Sequence, residues 1–449
     1  MERRENGPKD ARLAARLDSR RTARRNIAMN AKRAKMPLAM LALALMSGCD
    51  STPADGGNGP IVLQFWNGFS GPDGKTMEKI VSEFNASHKD VQVKMQIIPW
   101  GTFYDKVTLG LAFGGAPDLF ILHANRIPEY ASNDSLATYD PEIQAGEFPV
   151  DDFKPRQWEG GQYGGKQIGI PLDCHPLTLY YNKKLFREAG IANPPTNWEE
   201  FIAAGKKLTM DKRNADGKPY KQWGFNFTHL PNNVPSFLNQ HNASFLTPDL
   251  SKGAMTSPEM KVAVDQMISI WKNYGIAPRP EGQDAWLGFL TGKVAMAMEG
   301  IYMKSGLDNQ KDLEYAAAPV PMFGPKRAVW AGSHMMCMPA TEPEARRKAS
   351  IVFIKYLSDH SLSWAEGGQV PVRKSILESE GFQKLSVQRE AAKQLDYVQY
   401  EPSTPSWNQL ATFGNSAMEA CLNELEPEGA ALETAQRRID RVLAREKAR

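Results

Sequence analysis

The sequence predicts an α/β protein with two lobes, on three observations. The chain has 449 residues, which is long for one ordinary domain. Its composition, 42% hydrophobic and 23% charged, is that of a globular protein. After residue 60 it alternates β-forming and amphipathic helical segments in the order β-α-β-α-β, which implies parallel strands with right-handed crossovers.

The first unit accounts for three strands and two helices. IVLQFW at 61–66 is rich in β-formers and ends in the turn-like NGFSGPDG. Apolar residues at helical spacing predict a helix over 73–86, and VQVKMQII after it predicts a second strand. A second helix with Thr102 as its N-cap and Gly114 as its stop then leads to a third strand, LFILH, at 119–123.

The strand order predicts where a ligand binds. Ligands of open α/β sheets collect outside the carboxyl ends of the strands. Two tryptophans, a histidine and two carboxamides follow these ends and are expected to converge on one edge. They belong to Trp66-Asn67-Gly68, Pro99-Trp100 and His123-Ala124-Asn125.

A second unit begins near residue 168. It offers a strand at 177–181, a short helix closed by Gly190, and a helix capped by Thr196 or Asn197. Further elements are a strand in WGFNF, helices over 262–274 and 284–290, strands in GKVAMAMEG and YAAAPVPMFGP, a helix over 344–357 and a mostly helical C-terminal third.

The N-terminal segment has the layout of a secretory signal. Residues 1–35 hold twelve Lys or Arg against four Asp or Glu, and the apolar run from Met36 to Met46 is too short to span a membrane. Met46-Ser47-Gly48-Cys49 resembles the bacterial lipoprotein signal, with Met at the usual Leu position. We therefore expect a signal peptide at 1–48 with a long basic n-region, acylation of Cys49 and a flexible linker at 49–60. A translation start at Met29 or Met36, and twin-arginine export, stay open.

The charge and the motifs exclude several functions. From Asp50 onward the chain has 42 basic and 47 acidic residues, so the body lacks the positive charge of a nucleic-acid binder. It has no Walker loop, no G-x-S-x-G and no H-E-x-x-H. The seven histidines are far apart, and the cysteines lack metal-ligand spacing. No enzyme, cofactor or metal site is predicted, and Cys174, Cys337 and Cys421 are interpreted as core residues.

The binding features are richer. Ten tryptophans is a high number, and six of them lie at predicted loops or strand ends. Each tryptophan taken singly is better explained as a core residue. A carbohydrate site needs flat aromatic surfaces plus a few fixed polar side chains, and this combination is present. The six are Trp66, Trp100, Trp286, Trp330, Trp364 and Trp407.

Residues 60 to 440 resemble the extracellular solute-binding proteins (family 1) of bacterial ABC importers, especially the sugar-binding branch. The resemblance rests on the order and spacing of FWNGFSGPDG, GGAPDLFIL, IPLDCHPLTLYYNKKLFREAGI, PPTNWEEF, GKVAMAMEGIYM, WAGSHMMCMP and GGQVPVRKSIL.

The resemblance implies a clamshell of two lobes, each a mostly parallel sheet flanked by helices, with several hinge crossings. We place 61–170 plus 300–360 in lobe 1 and 171–299 plus 361–449 in lobe 2. The crossings are expected near residues 170–175, near 298–302 and after about 358. It further implies a monomer anchored by lipid to the outer face of the cytoplasmic membrane, which delivers a carbohydrate to permease subunits driven by an ATPase.

By similarity, ligand contacts are expected from both lobes and from the hinges. The first lobe contributes Trp66, Asn67, Phe69, Ser70, Trp100, Tyr104, His123 and Asn125. The hinges and second lobe contribute Asp173, His175, Glu299, Trp330, Ser333, His334 and Arg373. Structural roles remain alternatives for three of them: a hinge cap for Asp173, an ion-pair partner for Glu299 and a lobe-closing salt bridge for Arg373.

The sequence alone leaves other functions open. A receptor for a glycerol phosphodiester, a polyamine or a metal chelate is possible within the same family. A phosphate ligand would demand more Arg or Lys in the cleft, and a polyamine would demand several carboxylates. A secreted glycan-cleaving enzyme would need two opposed carboxylates, for which Asp173 and Glu299 are the candidate pair.

Overall fold

The computed structural model describes residues 59–280 and 284–447, so the predicted signal peptide, Cys49 and nearly all of the linker lie outside the described residues. The strands are β1 (Ile61–Asn67), β2 (Val91–Ile97), β3 (Leu119–His123), β4 (Gln162–Tyr163), β5 (Lys166–Gln167), β6 (Ile170–Pro171), β7 (Asp173–Asn182), β8 (Met210–Arg213), β9 (Pro219–Phe227), β10 (Val294–Gly300), β11 (Tyr315–Ala318), β12 (Val329–Gly332), β13 (His334–Cys337), β14 (Val370–Pro371) and β15 (Val398–Gln399).

The helices in the same residues are α1 (Pro72–Ser87), α2 (Trp100–Phe113), α3 (Ile127–Ala131), α4 (Asp140–Gln144), α5 (Pro155–Glu159), α6 (Lys183–Glu188), α7 (Trp198–Leu208), α8 (Leu230–Gln240), α9 (Pro258–Lys272), α10 (Ala285–Leu290), α11 (Lys304–Asp308), α12 (Glu344–Asp359), α13 (Ser361–Glu366), α14 (Lys374–Leu377), α15 (Glu380–Gln383), α16 (Ser386–Ala392), α17 (Trp407–Leu422) and α18 (Glu428–Lys447).

The first sheet has the order β2-β1-β3-β13-β6. As predicted, β1 pairs in parallel with both β2 and β3. Strand β3 is buried on both faces: Leu119 and Ile121 join one hydrophobic cluster, and Phe120 and Leu122 join another. Helices α1 and α12 cover the first face, and α2 covers the second, which gives the sheet its flanking helices.

The second sheet is mixed, which corrects the expectation of a mostly parallel sheet in each lobe. Its order is β15-β12-β7-β10-β9-β8, with β11 and β14 also paired to β7. Strand β7 pairs in antiparallel direction with four strands: β10, β11, β12 and β14. Parallel pairs remain between β10 and β9 and between β12 and β15.

The chain passes between the two sheets three times: the first two passages are at neighbouring points, and the third lies between β13 and β14. It leaves β6 in the first sheet and enters β7 in the second at Leu172, within the predicted first crossing. It returns at Ser333, between β12 and β13, and not near 298–302, because β10 and β11 both pair with β7. The part of 300–360 that forms β11 and β12 therefore lies in the second sheet.

Most helix ends follow the sequence signals. Asn197 caps α7, since its side chain accepts a hydrogen bond from the N–H of Glu200 at 2.9 Å, and Glu200 accepts one from the N–H of Thr196. Gly114 ends α2 in the left-handed conformation, with φ of 79°. Helix α2, however, begins at Trp100 with Pro99 as its N-cap, three residues before the predicted N-cap Thr102.

The remaining cysteines lie in the core, as predicted. Cys174, Cys337 and Cys421 are buried free thiols, and burial raises the pKa of Cys174 to about 12. No helix within residues 59–280 and 284–447 is both long enough and apolar enough to span a bilayer.

Candidate functional site

A cavity of about 530 Å³ lies outside the carboxyl ends of β1 and β3, where the strand order predicts a ligand. It is lined by Gly68, Ser70, Gly71, Asp73, Trp100, Tyr104, His123, Ala124, Asn125, Arg126, His175, Asn232, Tyr302, Met303, Trp330, Ala331, Gly332, His334, Gln369, Tyr400, Glu401 and Asn408. The lining residues come from strands of both sheets and from the segments next to them, so the cavity lies between the two sheets.

We call the side after β1–β3 the first wall; its aromatic part is built around Trp100. The indole stacks with His334 at a ring distance of 5.9 Å and with Tyr104 at 5.8 Å. A Cβ on Gly68 would lie 2.1 Å from the Trp100 ring, so glycine is required for this approach. The guanidinium of Arg126 lies 4.1 Å from the Tyr104 ring centre, in cation–π contact.

The opposite side, which we call the second wall, comes from the second sheet and the C-terminal segments. Its aromatic residues are Trp330, which is 9% exposed, Tyr302 and Tyr400. Glu401 accepts hydrogen bonds from the indole N–H groups of Trp407 at 2.7 Å and Trp330 at 3.4 Å. Its carboxylate also accepts one from the side chain of Asn125, which links the second wall to the first.

Asp173 does not line the cavity but orders the residues that do. Its carboxylate is fully buried and accepts hydrogen bonds from Trp364 Nε1 at 2.7 Å and from the backbone N–H of His334 at 3.1 Å. The Nδ1 atoms of His334 and His175 lie 2.7 and 3.3 Å from its oxygens. Asp173 is thus a positioning residue at the crossing between the sheets.

The electrostatics of this cluster follow from burial and close packing. Burial alone would raise the pKa of Asp173, but the attraction of His334 and the hydrogen bonds of both histidines hold it below its usual range. Burial, together with His334, lowers the pKa of His175. Burial, with His334 and His175 nearby, also lowers the pKa of His123 well below its usual value.

Four other predicted contact residues lie behind the cavity surface. Asn67 is fully buried, and its side-chain oxygen accepts the N–H of Phe69 at 3.1 Å, which shapes the turn after β1. Phe69 packs between Trp364 and the ring of His334, with centroids 4.7 and 4.9 Å away. Ser333 donates to the Asp173 carbonyl, and Glu299 accepts from Tyr302 at 3.2 Å, so both act through neighbours.

Two predicted contacts lie outside the cavity lining. Trp66 faces Lys106, whose ammonium is 5.9 Å from the indole, on the α2 side of the first sheet. Arg373 donates to Asp152 at 2.5 Å and to Asp359 at 3.0 Å, and its guanidinium lies 5.3 Å from the Phe153 ring centre. The sequence pattern could not reveal that the Arg373 guanidinium is paired with these two carboxylates.

The structure therefore brings eight of the predicted contact residues to the cavity surface. They are Ser70, Trp100, Tyr104, His123, Asn125, His175, Trp330 and His334. The prediction missed Asp73, Arg126, Asn232, Tyr302, Gln369, Tyr400, Glu401 and Asn408. Arg126 was the easiest to find, since it directly follows the third strand end. Asp73 also lies in the turn-like segment after a predicted strand, β1, whereas the others follow elements whose pairing the sequence does not reveal.

A second cavity of about 390 Å³ adjoins the first and shares Trp330, Tyr400 and Glu401 with it. Its other side is formed by α8, α17 and the loop between α8 and α9, including Phe245 and Trp407. The two rings stack at 6.1 Å. The space available at the second wall is therefore larger than the first cavity alone.

The chain is similar to several known proteins. The family model described as bacterial extracellular solute-binding protein matches residues 68–361. The arabinooligosaccharide-binding protein of Halalkalibacterium halodurans is 24% identical over 345 residues, which cover 73% of this chain and 74% of that protein. An uncharacterized lipoprotein of Streptomyces antibioticus is 30% identical over 196 residues, 42% of each chain.

The fold also matches a solved structure, the ABC substrate-binding protein of Listeria monocytogenes in complex with cycloalternan. That match has a TM-score of 0.73 at 21% identity and covers 86% of this chain and 99% of the other. The fold is accordingly that of the two-lobed periplasmic binding proteins. With the family model matched over well more than half of its length, the chain belongs to the bacterial extracellular solute-binding protein family.

Proposed function

We propose that this protein is the receptor of an ABC importer and captures a carbohydrate between its two lobes. The observation that carries the proposal is the composition of the cavity. Trp100, Tyr104, Trp330 and Tyr302 offer flat apolar surfaces, and carboxylates and amides stand between them. Sugars combine apolar C–H faces with a ring of hydroxyls, so such a lining is complementary to them.

Two relatives support the carbohydrate class: the arabinooligosaccharide-binding protein and the receptor solved with cycloalternan. The adjoining second cavity favours a ligand longer than one sugar ring, because it extends the space beyond Trp330 and Glu401. A monosaccharide would leave this extension unused.

The mechanism that we propose is a population shift between open and closed lobes. The lobes are centred on the two sheets, and the crossings at Leu172 and Ser333 form the hinge. A sugar that contacts both walls binds the closed form more tightly, and so favours it. The closed monomer then docks on the permease, and the ATPase drives import.

For the place of action, the family is extracellular, which implies export. We further propose that Cys49 is acylated and holds the receptor on the outer face of the cytoplasmic membrane. Cys49→Ala should release the protein from the membrane fraction and abolish incorporation of a labelled fatty acid. A variant that stays in the membrane fraction and remains labelled would refute the anchor.

Two rival functions receive less support from the site. For a phosphate ligand the cavity offers Arg126, whose guanidinium is already paired with Glu129 at 3.0 Å. For glycan cleavage, Asp173 and Glu299 are both buried, hydrogen-bonded to neighbours and outside the cavity lining. Neither carboxylate is therefore placed to act as an acid or a nucleophile on a bound sugar.

The proposal is tested by a thermal-shift screen of the purified protein against mono- and oligosaccharides, glycerol phosphates and polyamines. A ligand that binds the native state raises the melting temperature through linkage, and we expect oligosaccharides to do so. A shift produced only by phosphorylated or cationic solutes would refute the carbohydrate class. Turnover of a chromogenic glycoside by the wild-type protein would refute a pure receptor function.

A further inference from the structure

Three histidines that are far apart in the sequence meet in the cavity. One ring nitrogen from each of His123, His175 and His334 lies within 4.8 Å of one from each of the others. The ring centroids are 4.5 Å apart for His175 and His334, and 4.8 Å apart for His123 and His334. His175 and His334 are only 3% and 4% exposed.

The pairing of strands creates this cluster. Antiparallel register places His334 of β13 directly opposite His123 of β3. Strand β12 pairs Gly332 with His175 of β7, and Gly332 is only two residues before His334. A Cβ on Gly332 would lie 2.0 Å from Nε2 of His175, so glycine at 332 leaves room for the imidazole.

Each ring is oriented through its Nδ1 atom. The carboxylate of Asp173 holds Nδ1 of both His175 and His334. The Tyr104 hydroxyl is bonded to Nδ1 of His123. When Nδ1 carries the proton in these bonds, the lone pair of Nε2 is available, as in the carboxylate–histidine–metal arrangements of metalloproteins.

The local charges also suit a cation. Asp173 and Asp73 both interact electrostatically with His334. Asp73 itself lines the cavity, and Glu401 lies on the opposite wall. Arg126 is the opposing positive group near His123, and its ion pair with Glu129 offsets its charge.

We propose that His123, His175 and His334 bind one late first-row divalent transition-metal ion, with Zn²⁺ as the probe. Imidazole nitrogens suit such ions, and three protein ligands leave one coordination position free. Because all three rings line the cavity, that position opens toward the captured solute. The site revises the expectation of no metal site and does not depend on which solute is bound.

The geometry requires a small contraction. Tetrahedral Zn²⁺ with Zn–N bonds of about 2.0–2.1 Å places its nitrogens roughly 3.3 Å apart. The present spacing is wider, within 4.8 Å, so metal binding requires the three nitrogens to approach one another by up to about 1.5 Å. A donor atom of the solute, or a water molecule, completes the coordination.

The test is calorimetric titration of Zn²⁺ into the full-length, untagged protein after treatment with EDTA and dialysis. We expect one ion per chain. His123→Ala, His175→Ala and His334→Ala should each weaken binding by about 100-fold or more, since even outer-shell changes cost ~10–100-fold. His360→Ala is the matched control, because that histidine is exposed on α12's C-terminal end, and it should bind like the wild type.

Two measurements keep the result interpretable. Melting curves identify a variant that fails to fold, and His123→Gln then replaces it as the milder change at the half-buried ligand. Co²⁺ in place of Zn²⁺ should give the visible absorption of a four-coordinate ion, which is lost in the cluster variants. Binding that is absent in the wild type, or unchanged in all three cluster variants, would overturn the proposal. Sugar binding by the same samples is scored separately and tests the receptor function.

Discussion

The two walls of the cavity are built in different ways. Trp100, Tyr104, His123 and Asn125 of the first wall come from two short stretches, one that follows β2 and one at the end of β3. The residues of the second wall come from widely separated segments, among them Asn232, Tyr302, Trp330, Gln369 and Glu401. A wall made from parallel strand ends is readable from strand order, whereas a wall made from crossings and distant loops is not.

The two walls meet at Asp173 and again at Glu401. Asp173 holds His334 of the first sheet and His175 of the second through one carboxylate. Glu401 bonds Asn125 on one side and Trp330 on the other. The joining residues carry polar contacts between walls, while the aromatic residues supply the surface.

Replacing Asp173, the more deeply buried of the two residues that link the walls, should have the largest effect on stability. Asp173→Ala leaves the Trp364 indole N–H and two imidazoles without their buried acceptor, so we expect a loss of about 3–5 kcal/mol in unfolding free energy. Urea denaturation measures it, with Asp151→Ala as the control at an exposed carboxylate. A loss of unfolding free energy that exceeds the control's by no more than a few tenths of a kcal/mol would contradict the role of Asp173 in linking the two walls.

Replacing Glu401, the other residue that links the walls, should affect ligand binding more than folding. Glu401→Gln weakens the acceptor of Asn125, Trp330 and Trp407 at the cavity surface. We expect affinity for the sugar that the screen identifies to fall about tenfold, or 1.4 kcal/mol, by calorimetry. Glu378→Gln, at an exposed glutamate away from the cavity, should leave affinity unchanged. Equal effects in the two variants would show that the Glu401 carboxylate does not contribute to ligand binding.

Replacing Arg373 should do the opposite and affect stability more than ligand binding. Because its guanidinium bonds Asp152 and Asp359 outside the cavity lining, Arg373→Met should cost about 1 kcal/mol of stability. Its effect on ligand affinity should be negligible. Urea denaturation measures the change in stability, and calorimetry measures the change in affinity. A loss of affinity without a loss of stability would support the ligand contact of Arg373 that the family resemblance implies.

The smallest effect concerns the pH dependence of that ion pair. Burial raises the pKa of Asp152, but the hydrogen bonds from Ser375 and Arg373 outweigh it, so the pKa lies below its usual value of 3.8. Its contribution is present above the unfolded pKa and is lost as pH falls through the folded pKa. The stability difference between wild type and Arg373→Met should therefore shrink by roughly 0.5 kcal/mol between about pH 6 and pH 3. A constant difference across that range, in urea denaturation at each pH, would exclude the coupling.

Much of the fold was predictable because its signals are local. The strand β1, the helix α1 and the cap at Asn197 follow from β-formers, apolar periodicity and side-chain capping. The mixed second sheet was not predictable, since the antiparallel pairing of β10 and β12 with β7 depends on contacts between segments far apart in the chain. The return crossing at Ser333 escaped prediction for the same reason.

By itself, the sequence determined the element types, the first wall and the membership of three cysteines in the core, because each depends on spacing along the chain or on hydrophobicity. Only the tertiary structure decided that the Asp173 carboxylate orients two histidine rings, that Arg373 forms an ion pair with Asp152 and that three histidines line one cavity. Strand pairing decides which distant residues become neighbours. A one-residue change of register between β3 and β13 would place His334 on the other face of the sheet and separate it from His123.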